Sequence, residues 1–181
     1  SVEVFGAIQG GQPGFGSATQ SEGRAGDVII NTNRLSIRDG GVISTSALGG
    51  TGRAGDLTVN ADTVEVTGTK LTDRPYLSIL RTETFASGDA GNMSINARRI
   101  SVSNSGLISS RAFRNSSGKG GNLNINASEF VEVVGVSANS IFAPSLLTAR
   151  AESSGDAGNL NINTPRLSIR DGGIVSTEVV Q

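Results

Sequence analysis

Apolar residues recur at every second position in short runs, and the runs return along the whole chain. Val28 and Ile30 form the inward side of one run, and Leu35 and Ile37 form that of a second run after a short corner. A period of two is the pattern of a β-strand with one buried face. A third run, containing Ile43, follows a glycine turn. The pattern therefore predicts three short strands in each repeat.

One phrase marks the start of each repeat: AGDVIINT, AGDLTVNA, AGNMSINA, GGNLNINA and AGNLNINT. Its second residue is Gly26, Gly55, Gly91, Gly121 or Gly158. The spacings of 29, 36, 30 and 37 residues alternate between short and long, and the segment from Asn31 to Thr45 returns from Asn163 with 12 of 15 positions identical. Self-similarity at such a period is typical of a stack in which each repeat is one rung.

The length difference lies at one corner. The third run holds Ile43, Ile79, Ile108, Leu146 or Val175 as its inward residue. We count from the last inward residue of the second run to the inward residue of the third run. These are six positions apart in short repeats, as from Ile37 to Ile43, and 13 apart in long repeats, as from Val66 to Ile79. Seven extra residues in every second repeat therefore predict loops along one edge.

The runs lack two-residue hairpins between them, so each is expected to pair with its equivalent in the next repeat. This arrangement is a parallel β-solenoid, and parallel crossovers are almost always right-handed. We expect an all-β, right-handed parallel β-helix with three short strands per rung and about five and a half rungs. Residues 1–181 form a single repeat segment. Because neither end carries a capping element, we expect it to be a fragment of a longer chain.

Composition excludes many function classes. The chain has no cysteine and no histidine, which excludes thiolate and imidazole metal sites, disulfides and histidine-dependent catalytic triads. Fifteen basic residues against 16 acidic residues leave a net charge of -1, so no positive field gathers nucleic acid. We expect no catalytic residue, no cofactor, no metal ligand and no nucleic-acid partner.

Asparagine recurs at one position of every repeat. Stacked at about 4.8 Å, such side chains form a ladder in which each amide donates to one neighbour and accepts from the other. We expect a structural ladder of Asn31, Asn60, Asn96, Asn126 and Asn163.

Carboxylates are the remaining acid-base groups. Asp39 and Asp171 stand in identical RDGG corners, but four rungs, or about 19 Å, separate them, whereas paired glycosidase carboxylates lie about 5–9.5 Å apart. The GDAG turns at Gly88 and Gly155 lack the nonapeptide series of calcium loops, so a turn is the preferred interpretation.

Glutamate and serine alternate at the outward position of the second run, in the order Glu3, Ser36, Glu65, Ser101, Glu132 and Ser168. Arg34, Arg99 and Arg166 are expected to reach diagonally to these glutamates. Alternation with opposite charges supports strand pairing, so the favoured interpretation is register control on a solvated face.

The inserted corners are the candidate contact loops. Ladder positions face equivalent residues on adjacent rungs, whereas loop residues are free of that constraint. The candidate partner-contact residues are Arg74, Pro75, Tyr76, Ile141, Phe142 and Pro144. Two interpretations stay open: local lids folded over the coil, or a lateral strip that contacts glycans or neighbouring fibres.

At GN[LM]xIN[AT] and RLSIRDGG[VI][IV]ST the sequence resembles the repeat region of filamentous haemagglutinin-like exoproteins of two-partner secretion systems, particularly the large cyanobacterial kind. The resemblance covers essentially the whole chain. It implies a right-handed β-helical shaft that is exported through an outer-membrane transporter, by way of a region not present here, to the cell surface or the medium. It supplies no binding residues for transfer to this chain.

The sequence therefore predicts a structural shaft segment of a secreted or surface-displayed fibrous adhesin, without enzymatic activity. The expected partners are other copies, end to end or side by side, and surface glycans. The alternative from another class is a polysaccharide-binding or polysaccharide-cleaving β-helix.

Overall fold

The computed structural model describes residues 1–5, 14–68, 77–135, 144–152 and 154–180. The regular structure in these ranges consists of β-strands without any helix. Within them there is accordingly no helix long and apolar enough to cross a membrane. The all-β class predicted from the sequence is confirmed.

The strands form two parallel sheets, and successive strands of each sheet come from successive repeats. The first sheet contains β1 (Val2–Phe5), β3 (Val28–Arg38), β5 (Leu57–Thr67), β7 (Met93–Ser103), β9 (Leu123–Val134), β11 (Leu160–Asn163) and β12 (Leu167–Arg170). The second sheet contains β2 (Gly14–Thr19), β4 (Val42–Ala47), β6 (Ile79–Thr84), β8 (Leu107–Ala112), β10 (Leu146–Ala151) and β13 (Ile174–Val179). Pairing with the equivalent strand of the neighbouring repeat is confirmed.

The prediction of three strands per repeat is wrong for most repeats. The first two runs form one continuous strand of 11 residues in β3, β5 and β7 and of 12 residues in β9. The corner between the runs interrupts the pairing for only one or two residues, as between Thr32 and Arg34 in β3. A corner this short bends the strand without ending it, and β11 and β12 alone are separated there.

β9 carries one residue more than its neighbours at this corner. Ala97 pairs with Ala127 and Arg99 pairs with Phe130, so the register shifts by one between these pairs. The irregularity is a β-bulge, which absorbs an extra residue by a local bend of one strand. The inward columns on both sides of the bulge are preserved.

The core is a single cluster built from equivalent apolar positions of successive repeats. Val28, Ile30, Leu35 and Ile37, which the sequence assigned to the interior, all belong to it or pack against it. Their equivalents in β5, β7 and β9 are fully or almost fully buried. Each repeat therefore closes the apolar side of the next, and burying such a side chain contributes about 1.5–3 kcal/mol.

The inward residue of the second sheet was placed one position too early in the long repeats. Ile43 and Ile108 are in the core, but their partners in the long repeats are Leu80 and Leu147 rather than Ile79 and Leu146. Both candidates in each pair are aliphatic, so hydrophobicity alone did not distinguish them. The connections from β5 to β6 and from β9 to β10 accordingly carry eight more residues than that from β3 to β4.

Candidate functional site

Most of the predicted contact-loop residues lie outside the described residues. Arg74, Pro75 and Tyr76 belong to 69–76, and Ile141 and Phe142 belong to 136–143. Pro144 is described and lies half-buried just before β10. The choice between local lids and a lateral contact strip therefore stays a prediction.

The asparagine column forms a chain of side-chain hydrogen bonds on the outward face of the first sheet. Asn60 donates from Nδ2 to Oδ1 of Asn31 at 2.8 Å, Asn96 donates to Asn60 at 2.9 Å, and Asn126 donates to Asn96 at 3.0 Å. Asn163 pairs in register with Asn126 at the end of the column. Each amide is held in the orientation that its neighbour requires, which favours this register over its alternatives.

A second polar ladder was missed in the sequence. Aspartate or asparagine follows the glycine of every repeat phrase, and its side-chain oxygen accepts the backbone N–H of the equivalent residue in the next repeat at 2.8–3.0 Å. We call this set the Asx ladder. It consists of Asp27, Asp56, Asn92, Asn122 and Asn159.

The bond from the Asp56 backbone N–H, followed by the bond from Arg24, lowers the pKa of the Asp27 carboxyl. The sequence did contain a signal for the Asx ladder. The position after the glycine of each repeat phrase holds only Asp or Asn, and both side chains carry an acceptor oxygen.

The predicted column of alternating glutamate and serine is present in register from Glu3 to Ser168. Arg34 reaches Glu65 with a 2.7 Å contact, as expected. The other two expected arginines contact different groups: Arg99 pairs with Glu129, in the corner of β9, and Arg166 stacks on the Phe130 ring. The bulge in β9 explains both corrections, because it places Glu129 and Phe130 beside these arginines.

The acidic turns are used for backbone geometry and local ion pairs. Asp39 and Asp171 have φ angles of 54° and 53°, the left-handed region that tight turns require. In the GDAG turns, Asp89 accepts the backbone N–H of Lys119, and the Lys119 ammonium contacts Asp156 at 2.8 Å. Within the described part of the chain, no three acidic residues cluster as metal ligands do.

A group of charged side chains lies on the outward face of the second sheet. Leu80, Ile108 and Leu147 point into the core, so the side chains at the alternate positions of β6, β8 and β10 face away from it. These positions, with the residue after β10, form what we call the Arg/Glu row: Arg81, Glu83, Arg111, Arg150 and Glu152.

Ion pairs join members of the Arg/Glu row, some along one strand and some between adjacent strands. Arg81 contacts Glu83 at 3.0 Å, Arg150 contacts Glu152 at 3.0 Å, and Arg111 also bonds to Glu152. Arg150 extends the chain of contacts to Glu178 at 3.4 Å. The hydrogen bond from Arg111 holds the pKa of the Glu152 carboxyl below its usual range.

Glu83 is the exceptional member of the row, with only 2% of its surface exposed. One carboxylate oxygen, Oε1, accepts a hydrogen bond from Ser46 at 2.9 Å and lies 3.0 Å from Nη2 of Arg81 in an ion pair. The other oxygen, Oε2, is buried without a hydrogen bond, as are the Nε atoms of Arg81, Arg111 and Arg150. Burial raises the pKa of the Glu83 carboxyl, against the opposing effect of Arg81.

Two aromatic rings border the row. Phe85 and Phe113 follow β6 and β8 and stack with ring centroids 4.0 Å apart. The Arg111 guanidinium lies over the Phe113 ring at 3.9 Å, while Phe85 keeps 41% of its surface exposed. The face thus combines an exposed apolar surface with a row of hydrogen-bonding charges.

None of the protein-family models, curated proteins and solved structures compared with this chain matches it. The comparisons therefore do not identify a filamentous haemagglutinin-like protein.

Proposed function

We propose that this chain is a structural segment of the shaft of a secreted or surface-displayed fibrous adhesin of the filamentous haemagglutinin-like kind. In this proposal the strands wind as a right-handed β-helix of about five and a half rungs, because parallel crossovers in one sheet are almost always right-handed. The segment supports adhesion or extracellular filament formation and has no enzymatic activity of its own.

One observation carries the proposal: residues at equivalent positions of successive repeats contact one another. The apolar columns, the asparagine ladder and the Asx ladder all run along the stacking direction. A fold in which each repeat contacts only its neighbours can be lengthened simply by adding repeats. Such a fold suits a rod that separates a cell surface from a distant contact point.

The proposed partners follow from the same role. Other copies pack end to end or side by side, surface glycans are contacted by the shaft or its loops, and an outer-membrane transporter recognises another part of the secreted protein. An extended scaffold offers long lateral surfaces for such contacts.

Immunogold microscopy of intact producing cells tests the proposed location. Antibodies raised against the 181-residue chain should label the surface of unpermeabilised cells or filaments in the medium. Labelling that requires permeabilisation would contradict the proposal. An antibody to a cytoplasmic protein is the control for cell integrity.

The absence of enzymatic activity has a separate test. The purified chain is incubated with neutral and acidic polysaccharides while new reducing ends and unsaturated products are measured. We expect none above the rate of heat-denatured protein. A rate abolished by Glu152→Gln would instead support the polysaccharide-cleaving alternative.

A further inference from the structure

The connection that follows β8 is longer than its equivalents in the other repeats. It has five residues, 113–117, before Gly118, whereas the connection from β6 to Gly88 has three, 85–87. The two glycines are equivalent, because a Cβ at Gly118 would lie 2.0 Å from the backbone oxygen of Gly88. The stacking of repeats therefore does not require the two extra residues after β8.

The extra residues form a tight turn with an exposed tip. The backbone N–H of Ser116 donates to the Phe113 carbonyl oxygen at 3.1 Å, and the Ser116 hydroxyl donates to the same oxygen at 2.7 Å. Asn115, the third residue of the turn, has a φ of 66°, a conformation that asparagine tolerates better than most residues. The Phe113 ring stacks on Phe85 and so anchors the base of the turn. Arg114 and Asn115 form the exposed tip.

This turn contains Asn-x-Ser, a form of the Asn-x-Ser/Thr pattern that accepts N-linked sugars. Asn115 is the asparagine, and Ser117 supplies the hydroxyl two residues later; both residues are exposed. The Asn115 side chain has no hydrogen-bond or ion-pair partner in the described part of the chain. The amide and the hydroxyl are therefore both accessible to an enzyme that recognises the pattern.

Two other matches to the pattern, at Asn92 and Asn126, have amides that already serve the fold. Asn92 is half-buried, and its Oδ1 accepts the Asn122 backbone N–H at 3.0 Å. Asn126 donates from Nδ2 to Asn96 at 3.0 Å and lies within β9, which pairs with a strand on each side. A strand held on both sides enters the active site of an enzyme only by losing its backbone hydrogen bonds. The structure thus distinguishes Asn115 from two asparagines that the pattern treats as its equals.

We propose that Asn115 is an N-glycosylation site, modified on its side-chain amide by a transferase that uses a sugar activated as a diphosphate ester. Nδ2 attacks C1 of the sugar, and the N–C1 bond forms as the bond from C1 to the diphosphate oxygen breaks. The diphosphate leaves with the electron pair of that bond, one Nδ2 proton passes to a base of the transferase, and nothing is oxidised or reduced. This covalent modification differs from the glycan contacts of the proposed function and does not depend on them.

Mass spectrometry of the protein from producing cells tests the site directly. Trypsin places the three matches to the pattern in different peptides, because cleavage sites such as Arg111 and Lys119 separate them. Electron-transfer fragmentation then locates any added sugar on a single residue. We expect added sugar mass on Asn115, and we expect Asn92 and Asn126 to be unmodified.

Two reactions in vitro identify the carrier of the diphosphate. The folded 181-residue chain is incubated with a soluble N-glycosyltransferase and a nucleoside-diphosphate sugar, or with a membrane oligosaccharyltransferase and a polyprenyl-diphosphate sugar. We expect one of these reactions to modify Asn115 of the folded chain. Short peptides that contain Asn92 or Asn126 should be accepted by the same enzyme, because they lack the strand pairing that protects these residues in the fold.

Variants of the turn test the acceptor pattern in the reaction that succeeds. Asn115→Gln and Ser117→Ala should abolish the modification, whereas Ser117→Thr should retain it because threonine keeps the hydroxyl. Ser154→Ala is the control, since Ser154 is an exposed serine in the equivalent connection after β10. The control should be modified as the wild type is, and circular dichroism confirms that all variants are folded.

Three results would overturn this inference. The first is protein from producing cells in which Asn115 is entirely unmodified, whatever the reactions in vitro give. The second is a sugar on Asn92 or Asn126 of the folded chain, which would show that the exposed turn does not select the site. The third is modification of Asn115 that Ser117→Ala leaves undiminished. None of these results bears on whether the chain is a surface-displayed shaft, which the immunogold experiment tests.

Discussion

Glu83 occupies a position at which the two following repeats carry arginine. Its pairing partner in β8 is Arg111, whose own partner in β10 is Arg150. The groups around Glu83 are Ser46, Arg81 and Arg111. A hydrogen bond from Ser46 and the charges of the two arginines partly compensate for the loss of water. One carboxylate oxygen nevertheless remains unpaired, and the desolvation of the charged form outweighs the compensation.

Glu83→Gln is expected to change how stability depends on pH. Because burial raises the pKa of Glu83, its stabilising effect is full below the unfolded-state pKa of about 4.3 and is lost as pH rises through the folded-state value. The variant lacks this loss, so its free energy of unfolding should increase relative to that of the wild type as pH rises above the unfolded-state value. Urea unfolding at a series of pH values measures the difference.

Glu129→Gln is the matched control, since Glu129 pairs with Arg99 at the exposed corner of β9 and the bond from Arg99 lowers the pKa of its carboxyl. The free energy of unfolding of this control should not increase relative to that of the wild type as pH rises. A Glu83→Gln difference that stays constant across the pH series would contradict the prediction.

Asn122 tests the Asx ladder. Its Oδ1 accepts the Asn159 backbone N–H at 2.9 Å, so Asn122→Ala leaves that donor without its partner and should cost about 1–2 kcal/mol of unfolding free energy. Asn122→Asp keeps an acceptor oxygen, as Asp27 and Asp56 do in the same ladder, and should cost less. Urea unfolding at pH 7 compares the two, and equal losses would refute the role of the acceptor.

The Arg/Glu row shows what sequence reasoning overlooked at this scale. Assigning Ile79 as inward in β6 also places Arg81 and Glu83 inward, because side chains alternate along a strand. Two charges in an aliphatic column were a sign that the register was one residue off. The unpaired atoms themselves depend on side-chain packing between strands, which the pattern along one chain does not determine.

At the scale of a repeat, the glycine of the recurring phrase has a packing role. A Cβ at Gly55, Gly91, Gly121 or Gly158 would lie 1.8–2.0 Å from the backbone oxygen of the glycine one repeat earlier. No side chain fits at that distance, so the close stacking of repeats requires glycine there. The sequence marked this position as the most regular of the repeat without indicating why.

Gly91→Ala should therefore destabilise the chain by about 1–3 kcal/mol or more, because the clash is with backbone and is relieved only by separating the repeats. Gly23→Ala is the control, since a Cβ at Gly23 meets no atom within 4 Å. Thermal unfolding followed by circular dichroism measures both. Equal midpoints for Gly91→Ala and the wild type would show that the repeats stack less closely than described.

Ile125→Asp tests the inward column of the first sheet. Ile125 is 1% exposed between Ile95 and Ile162 of the adjacent strands, so a carboxylate there is buried without a partner and should cost more than about 4 kcal/mol. Asn124→Asp places the same group one residue away on the outward face and should unfold cooperatively near the wild-type midpoint. If Ile125→Asp kept the wild-type midpoint, the assignment of Ile125 to the inward face would be wrong.

For the molecule as a whole, periodicity was sufficient to predict an all-β fold and parallel pairing between repeats. Phrases such as AGDLTVNA and AGNMSINA repeat the same two inward positions, and the strands that contain them pair in register, Leu57 with Met93 and Val59 with Ile95. The bend that joins two runs into one strand was not predicted, because the length of a corner does not reveal whether hydrogen bonding continues through it. The bulge at Glu129 likewise changed which arginine meets which glutamate.

The long corners should be dispensable for the fold. Residues 39–41 connect β3 to β4 in three residues, whereas 68–78 connect the equivalent strands β5 and β6 in 11. Deleting residues 69–76 and 136–143 leaves three-residue connections that retain Ser78 and Ser145. Both serines are worth keeping, because their hydroxyls accept from Gly40 and Ser105 across the corner.

Two substitutions accompany the deletions. After the deletions, Leu77 and Pro144 become the second residues of their three-residue connections. The equivalent residue of the short connection, Gly40, has a positive φ of 87°. Leucine adopts such a φ only with strain, and proline cannot adopt it. Leu77→Gly and Pro144→Gly therefore complete the design. We expect the shortened chain to keep its β circular dichroism and its cooperative unfolding, since loops contribute little to a core formed by stacked repeats.

The shortened chain also tests whether the inserted corners are contact loops. If the inserted corners form a lateral contact strip, association of the shortened chain with cells or between fibres should fall although the chain stays folded. If association persists undiminished in the folded, shortened chain, the contact strip is refuted, because the removed segments contain Arg74, Tyr76 and Phe142. Phe85→Leu in the full chain is a control, since Phe85 is exposed but lies outside the removed segments, and this change should leave loop-dependent association intact.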